Sequence, residues 1–266
     1  MSVKVDAVVL AGGDGAVIDP RAPFKGLLSI GGKPMVSWVV DALRAAESVA
    51  EVAVVVPTAE ELGRWADDVD KLVVSDSTFL GNVLAGVGSF RTDRPVLVTT
   101  GDIPALTGEA VDDFVARSLA TGADFTYPII RKEDMLAQFP GSIRTFVRLK
   151  DAEVTGGNMM ITNPFLVERN REIAQSLFDT RKSAFSMARI IGFGFVLKLA
   201  IGRLRVHELE AKLAELLGGP TAAIYTSHAS IGADVDKAID VIVVERVLQA
   251  PESGRNHWES SRNRHM

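Results

Sequence analysis

The chain has 266 residues, enough for one large α/β domain or two small ones. It is 47% hydrophobic and 24% charged, as in ordinary globular proteins, and its net charge of −5 argues against a general nucleic-acid-binding surface. The absence of cysteine excludes disulfides, thiolate metal sites and a cysteine nucleophile.

Two further features bear on location. Residues 1–10 lack the basic start and apolar core of a signal peptide. The longest apolar run of the second half is too short to span a bilayer, so no transmembrane segment is predicted. We therefore expect the chain to act in the cytoplasm.

In the first half of the chain, short apolar runs alternate with amphipathic stretches, which indicates strands alternating with helices. This alternation predicts an α/β, Rossmann-like, mostly parallel sheet with helices on both faces. In chain order, the predicted elements are strand Val5–Leu10, helix Met35–Ala46, strand Val52–Val56, helix Ala59–Asp67, strand Leu72–Val74, helix Leu80–Phe90, strand Val96–Thr100 and a helix over 108–120 with Thr107 as its N-cap.

The second half has a different pattern. Thr145–Leu149 and Val154–Ile161 are predicted as a pair of strands joined by a polar turn. Helices are expected to dominate from about 164 to 217, as an insertion in a single domain over 1–250. Residues 251–266 are polar and are expected to form a mobile tail.

A glycine-rich loop follows the first predicted strand directly. Without a Cβ, its glycines let a ligand approach the backbone, and their N–H groups can form an anion nest. Lys25, at the far end, adds a positive charge that can reach a phosphate. The loop is neither a dinucleotide fingerprint nor a P-loop, since Ile18 replaces the last glycine of the first and Lys25 is not followed by Ser or Thr. We expect a triphosphate site formed by Leu10, Ala11, Gly12, Gly13, Gly15 and Lys25.

The pattern Leu-Ala-Gly-Gly-x-Gly…Lys, followed by Gly-Lys-Pro-Met at residues 32–35, resembles the signature of the GT-A-like nucleotidyltransferases. That superfamily includes sugar-phosphate nucleotidyltransferases and the molybdenum-cofactor guanylyl- and cytidylyltransferases. The resemblance implies transfer of a nucleotidyl group from an NTP to a phosphorylated small molecule, with Mg²⁺ as cofactor. Related enzymes carry an arginine where this chain has Val17, and Arg21 is the candidate substitute or a solvated loop charge.

Candidate metal ligands lie at two places. Asp102, in Thr-Gly-Asp-Ile-Pro, follows a predicted strand and resembles the family's metal aspartate; a turn that caps the next helix is the alternative. The Asp234–Asp240 segment loosely resembles the family's final acidic motif, and it offers Asp236 or Asp234 as the second ligand. Asp236 could also be the N-cap of a helix over 237–249.

Two short segments resemble substrate-binding positions of the family. Gly81 and Asn82 stand where relatives read the nucleobase, or they simply start a helix. Gly156, Gly157 and Asn158 resemble a Gly-Gly-Asn that helps hold the acceptor, or they form a bulge.

The segment 190–204 is apolar on every side and ends in basic residues. It is predicted to be a helix that packs mostly inside the insertion, with Phe193, Phe195 or Leu199 partly exposed. The exposed part would contact a second copy of the chain or an apolar acceptor, and a wholly buried helix is the alternative.

Two other functions stay open for the whole chain. A GT-A-type glycosyltransferase shares the nucleotide-binding half, but it would need an Asp-x-Asp near mid-chain. A nucleotide-binding regulator without catalysis is consistent with Val17 and with the altered acidic segment.

Overall fold

The computed structural model describes residues 3–60, 62–90, 93–180 and 190–249. Within these ranges, nine strands form one sheet in the order β5-β4-β1-β6-β10-β7-β9-β8, with β11 beside β7, and β2 and β3 form a separate pair. The strands are β1 Val5–Leu10, β2 Ser29–Ile30, β3 Lys33–Pro34, β4 Val49–Val56, β5 Lys71–Val74, β6 Val96–Thr100, β7 Phe125–Arg131, β8 Val147–Arg148, β9 Glu153–Gly156, β10 Met159–Thr162 and β11 Thr221–Thr226.

Helices cover both faces of the sheet. The described α-helices are α1 Met35–Ala45, α2 Phe79–Val87, α3 Gly108–Thr121, α4 Lys132–Gln138, α5 Pro164–Arg169, α6 Arg171–Thr180, α7 Phe193–Ala200, α8 Val206–Leu217 and α9 Ala238–Gln249. Successive side chains of β1 point to opposite faces, as in any strand. Val9 packs in the core that includes α1 and α3, whereas Val8 packs with residues of α2.

The predicted parallel sheet is confirmed for the first half of the chain. Strands β5, β4, β1 and β6 are all parallel, and Leu10 at the end of β1 is level with Thr100 at the end of β6. The glycine loop and the Thr-Gly-Asp segment therefore start side by side at the carboxyl edge of the sheet. Thr107 caps α3 as predicted, since its side chain accepts a hydrogen bond from the amide of Ala110.

The prediction of one strand over Val154–Ile161 is wrong in one respect, because the strand is broken into β9 and β10. At the break, Gly157 donates to the carbonyl of Pro128 and Asn158 donates to the carbonyl of Ile231. A Cβ on Gly157 would lie 2.8 Å from side-chain atoms of both Pro128 and Ile231. The glycine is thus required by close packing inside the protein. The predicted pairing with the preceding strand is confirmed, since β8 and β9 are antiparallel.

The helix predicted over Ala59–Asp67 is also wrong. Among the described residues of this stretch, the structure has only a short 3-10 helix, Arg64–Asp68. Gly63, just before it, has φ of +74°, in the left-handed region that interrupts a right-handed helix.

Between 164 and 217 the described residues are largely helical, and their role as an insertion in one domain stays a prediction. Residues 181–189 and the polar tail 251–266 lie outside the described residues. The expectation that 190–204 forms a buried helix is not met, because no residue of α7 is buried. Phe195 and Leu199 pack partly against a buried cluster, while Phe193 and Leu197 are 63% and 62% exposed. Among the helices that the structure describes, none is both long and apolar enough to cross a membrane.

A glycine in α2 marks the closest approach of this helix to the sheet. A Cβ at the buried Gly86 would lie 2.4 Å from Cγ1 of Val8 and 3.0 Å from Cγ2 of Val55. We expect Gly86→Ala to lower the free energy of unfolding by about 1–3 kcal/mol through overpacking, despite the better helix propensity of alanine.

Urea denaturation followed by circular dichroism measures this effect. Gly194→Ala is the matched control, because nothing lies within 4 Å of the added methyl group in α7. Gly194→Ala should leave the free energy of unfolding unchanged or raise it by up to about 1 kcal/mol. An equal gain in both variants would contradict the close packing of α2 on the sheet.

Candidate active site

The loop after β1 presents unpaired backbone donors at the carboxyl edge of the sheet. Within the described part of the chain, the amides of Gly12 and Gly13 donate to no acceptor. A Cβ on Gly12 would meet nothing within 4 Å, and Gly13 has φ of +97°, which favours glycine. Gly12 therefore leaves open space, and both residues leave backbone donors for an anion.

Gly15 also has a structural role within the loop. It is buried, and a Cβ there would lie 2.9 Å from both Cβ of Ala22 and the carbonyl carbon of Phe24. Its lack of a side chain serves the folding of the loop onto itself, and the carbonyl of Gly15 accepts from the amides of Ile18 and Asp19.

Leu10 and Ala11 hold the loop at the sheet. The carbonyl of Leu10 accepts from the amide of Gly101, and the amide of Ala11 donates to the carbonyl of Val55. A Cβ on Gly101 would lie 3.2 Å from Cα of Ala11. This close approach brings the two loops that carry the candidate residues next to each other.

Lys25 lies at the centre of the acidic cluster. Its Nζ is 2.5 Å from Oδ2 of Asp102 and 2.5 Å from Oδ1 of Asp236, and its side chain is only 14% exposed. Burial acts to lower the pKa of Lys25, but the carboxylates of Asp102 and Asp236 outweigh it, so the pKa is raised above its usual value. The ammonium is thus a fixed positive charge at neutral pH.

Asp102 is positioned by hydrogen bonds from two side chains and through its own backbone. Oδ1 accepts from Oγ1 of Thr100 at 2.5 Å, and Oδ2 accepts from Lys25. Its carbonyl accepts from the amide of Val235, which connects the β6 loop to the acidic segment. Asn158 donates from Nδ2 to Oγ1 of Thr100 at 3.2 Å, so it supports Asp102 through the threonine.

Helix α9 begins at Ala238, one residue later than predicted, so Asp236 lies just before the N-cap position. The carboxylate of Asp236 binds Lys25, while the buried carboxylate of Asp240 accepts from the amides of Asp236 and Lys237. Asp240 therefore fixes the start of α9 by reaching back from the first turn. Asp236 is left at the cluster with a side chain that is 59% exposed.

Asp102, Asp234 and Asp236 each offer a carboxylate oxygen, and these three oxygens lie within 4.8 Å of one another. Two of the three already bind an ammonium group, which shows that the cluster accepts a cation. Carboxylate oxygens at this spacing could hold a metal ion. The sequence prediction had placed these residues together, and the structure does so.

Sequence reasoning missed Arg144. The guanidinium forms an ion pair with Oδ1 of Asp234 and donates from Nη2 to the carbonyl of Asp234, and its side chain is 11% exposed. Burial lowers the pKa of Arg144, against the opposing effect of the carboxylates of Asp240, Asp236 and Asp102. The hydrophobic pattern would place Ile143 and Val147 inside and Arg144 in solvent. In the structure, Ile143 and Val147 are exposed and Arg144 faces inward.

Arg21, the candidate substitute for the missing loop arginine, is not at the cluster. Its guanidinium donates to Asp19 at 3.0 and 2.8 Å, and its side chain is 90% exposed. Val17 is 74% exposed. In this structure the loop contributes no arginine to the acidic cluster.

The candidate base-reading residues Gly81 and Asn82 make hydrogen bonds within the protein. Oδ1 of Asn82 accepts from Oγ of Ser75 and from the amide of Ser77, and Gly81 donates to the N-cap Thr78. These bonds shape the loop before α2. Base recognition by Gly81 and Asn82 stays a prediction.

Known proteins resemble this chain in sequence and in fold. Residues 7–186 match the family model described as the MobA-like NTP transferase domain. A solved structure of a hypothetical transferase from Thermus thermophilus is 33% identical with a TM-score of 0.81, and the match covers 90% of this chain and 100% of that one.

Curated relatives are similar over shorter lengths. The 2-C-methyl-D-erythritol 4-phosphate cytidylyltransferase of Bifidobacterium longum strain DJO10A is 35% identical over 130 residues, 46% of this chain and 43% of the relative. The bifunctional protein GlmU of Exiguobacterium sibiricum is 26% identical over 191 residues, 63% of this chain and 41% of the relative. The chain thus spans less than half the length of these two relatives. The family model and the full-length structural match together show that the chain belongs to the MobA-like NTP transferase domain family.

Proposed function

We propose that the chain transfers a nucleotidyl group from an NTP to a phosphorylated small molecule and releases pyrophosphate. One observation carries the proposal: Lys25 is held between Asp102 and Asp236 beside the open amides of Gly12 and Gly13. Anion donors, a buried ammonium and paired carboxylates are what a metal-bound triphosphate requires.

The glycine loop and Lys25 would bind the phosphates. The amides of Gly12 and Gly13, with the loop up to Gly15, would hold the β- and γ-phosphates. Lys25 would exchange its carboxylate partners for phosphate oxygens when the nucleotide enters. Its buried position makes this charge effective, since screening by water is weak there.

Asp102 and Asp236 would hold Mg²⁺, with Asp234 as the alternative second ligand. Bound there, the ion would offset the negative charge that develops around the α-phosphorus. The protein would contribute the orientation of the ligands, because Thr100 and Asn158 fix Asp102, and Asp240 fixes the backbone of Asp236.

In the reaction, a phosphate oxygen of the acceptor attacks the α-phosphorus in line with the leaving group. The bond to the bridging oxygen of the β-phosphate breaks, and pyrophosphate leaves. No general base is needed, because the acceptor phosphate is already ionised at pH 7. Gly156, Gly157 and Asn158 are the candidate acceptor-side residues, with Gly81 and Asn82 on the side of the base.

The acceptor is proposed to be a sugar phosphate, a polyol phosphate or a molybdopterin-like phosphate. The relative from Bifidobacterium longum is named for cytidylyl transfer to a polyol phosphate. CTP and phosphorylated polyols are therefore the first pair to test.

A second function is favoured by one observation. Val17 stands in place of the usual arginine, and Arg21 is bound to Asp19. This loop therefore offers no arginine to stabilise the transferred phosphate, which favours a nucleotide-binding regulator without catalysis. A GT-A-type glycosyltransferase is the remaining alternative.

One assay separates these functions. The protein is incubated with Mg²⁺, each of the four common NTPs and a panel of phosphorylated sugars and polyols, and pyrophosphate is measured. We expect release that depends on both substrates. NTP binding without release would support the regulator, and turnover of nucleotide sugars in place of NTPs would support the glycosyltransferase. Unphosphorylated acceptors are the matched control.

A further inference from the structure

Two largely buried cationic side chains, Lys25 and Arg144, form ion pairs with the three carboxylates of the cluster. Lys25 forms ion pairs with Asp102 and Asp236. Arg144 forms an ion pair with the carboxylate of Asp234 and also donates to the backbone carbonyl of Asp234. All three carboxylates are near enough to bind one ion. The pairing with Arg144 therefore decides how many of them are available.

Arg144 is suited to hold Asp234 firmly. A guanidinium is always charged and presents its donors in a fixed plane, so it can fix two acceptors of one residue at once. The side chain is largely buried, and its Nε has no hydrogen-bond partner among the described residues. Exchange of Asp234 for water would deprive this buried cation of its hydrogen-bonded counter-ion, which is costly.

A third carboxylate at the metal would work against nucleotide binding. Mg²⁺ usually takes one or two carboxylates and keeps its other positions for water and substrate phosphates. Another protein ligand would fill one of these positions and add negative charge facing a polyphosphate.

Resting on the function proposed above, we infer that Arg144 is a positioning residue that keeps Asp234 away from the metal and so leaves a two-carboxylate site of Asp102 and Asp236. The same contact anchors the backbone at Asp234, two residues before Asp236. Arg144 acts through Asp234, and the inference assigns it no contact with the metal or the substrate.

The test measures Mn²⁺ binding by electron paramagnetic resonance, without nucleotide or acceptor. We expect Arg144→Gln to bind Mn²⁺ about tenfold more tightly, because Asp234 becomes available as an additional charged ligand. The double variant Arg144→Gln/Asp234→Asn removes the pair without changing the net charge. It should return to within about threefold of the wild-type affinity, since neither lost group is a ligand.

Two controls complete the design. Asp236→Asn should lose Mn²⁺ affinity by more than about tenfold as the loss of a true ligand. Arg117→Gln removes the same charge from the exposed surface of α3, where Arg117 pairs with Asp113, and should leave the affinity unchanged.

The inference is overturned if the double variant loses affinity as Asp236→Asn does, or if Arg144→Gln binds Mn²⁺ no more tightly than the wild type. Should Arg144→Gln fail to fold by circular dichroism, the double variant still decides between the two outcomes. Because no nucleotide is used, failure of the proposed transfer reaction would appear in the pyrophosphate assay and not here.

Discussion

Replacing Asp102 with asparagine is expected to reduce turnover at least about a hundredfold, because the proposed Mg²⁺ loses the charged ligand held most firmly in the site. The substitution keeps the size of the side chain, and its single amide oxygen can still accept from either Thr100 or Lys25. The fold should therefore be retained, with some metal-independent nucleotide binding through the glycine loop. The measurement is the rate of pyrophosphate release as a function of Mg²⁺ concentration.

Asp41→Asn is the control for loss of a carboxylate away from the site. Asp41 is 61% exposed and pairs with Lys33. The turnover of Asp41→Asn should match that of the wild type. If Asp102→Asn kept its Mg²⁺-dependent rate, Asp102 would be a turn residue only.

Lys25→Ala is expected to weaken NTP binding or slow transfer by more than tenfold, since a hydrogen bond to a charged group contributes about 1.5–3 kcal/mol. The structure adds a second effect with the opposite sign. Lys25 binds the two proposed metal ligands, so its removal should strengthen binding of Mn²⁺ alone while weakening binding of the nucleotide. Calorimetric titration with Mn²⁺ and then with NTP measures both.

Lys33→Ala serves as the matched lysine control. Lys33 belongs to the Gly-Lys-Pro-Met segment, but its Nζ lies 3.7 Å from the centre of the Trp38 ring and pairs with Asp41. NTP affinity should be unchanged in this variant. Wild-type NTP affinity and turnover in Lys25→Ala would remove Lys25 from the site.

The parts of the site that follow strand ends could be predicted from the sequence. Parallel strands place their carboxyl ends at one edge of a sheet, so a glycine loop after β1 and Asp102 after β6 had to meet there. Asp236 was found through its resemblance to a family motif, and not through periodicity, because it lies in a loop outside the sheet.

Other features depended on packing that one-dimensional patterns do not record. Gly15 and Gly157 resemble ligand-binding glycines in the sequence, yet neighbouring atoms of the protein fill the space where their side chains would be. Arg144 was missed because Ile143 and Val147 beside it predict the opposite inward face. The buried helix predicted over 190–204 failed because apolar content alone does not say what covers a helix.

A crystal structure with Mg²⁺ and a CTP analogue that resists cleavage between the α- and β-phosphates tests the central claim most directly. We predict that the β- and γ-phosphates lie on the amides of Gly12 to Gly15, that Lys25 contacts a phosphate oxygen, and that Asp102 and Asp236 bind the metal. A nucleotide bound elsewhere, or one bound in the loop while Lys25 still bridges the two carboxylates, would contradict this account.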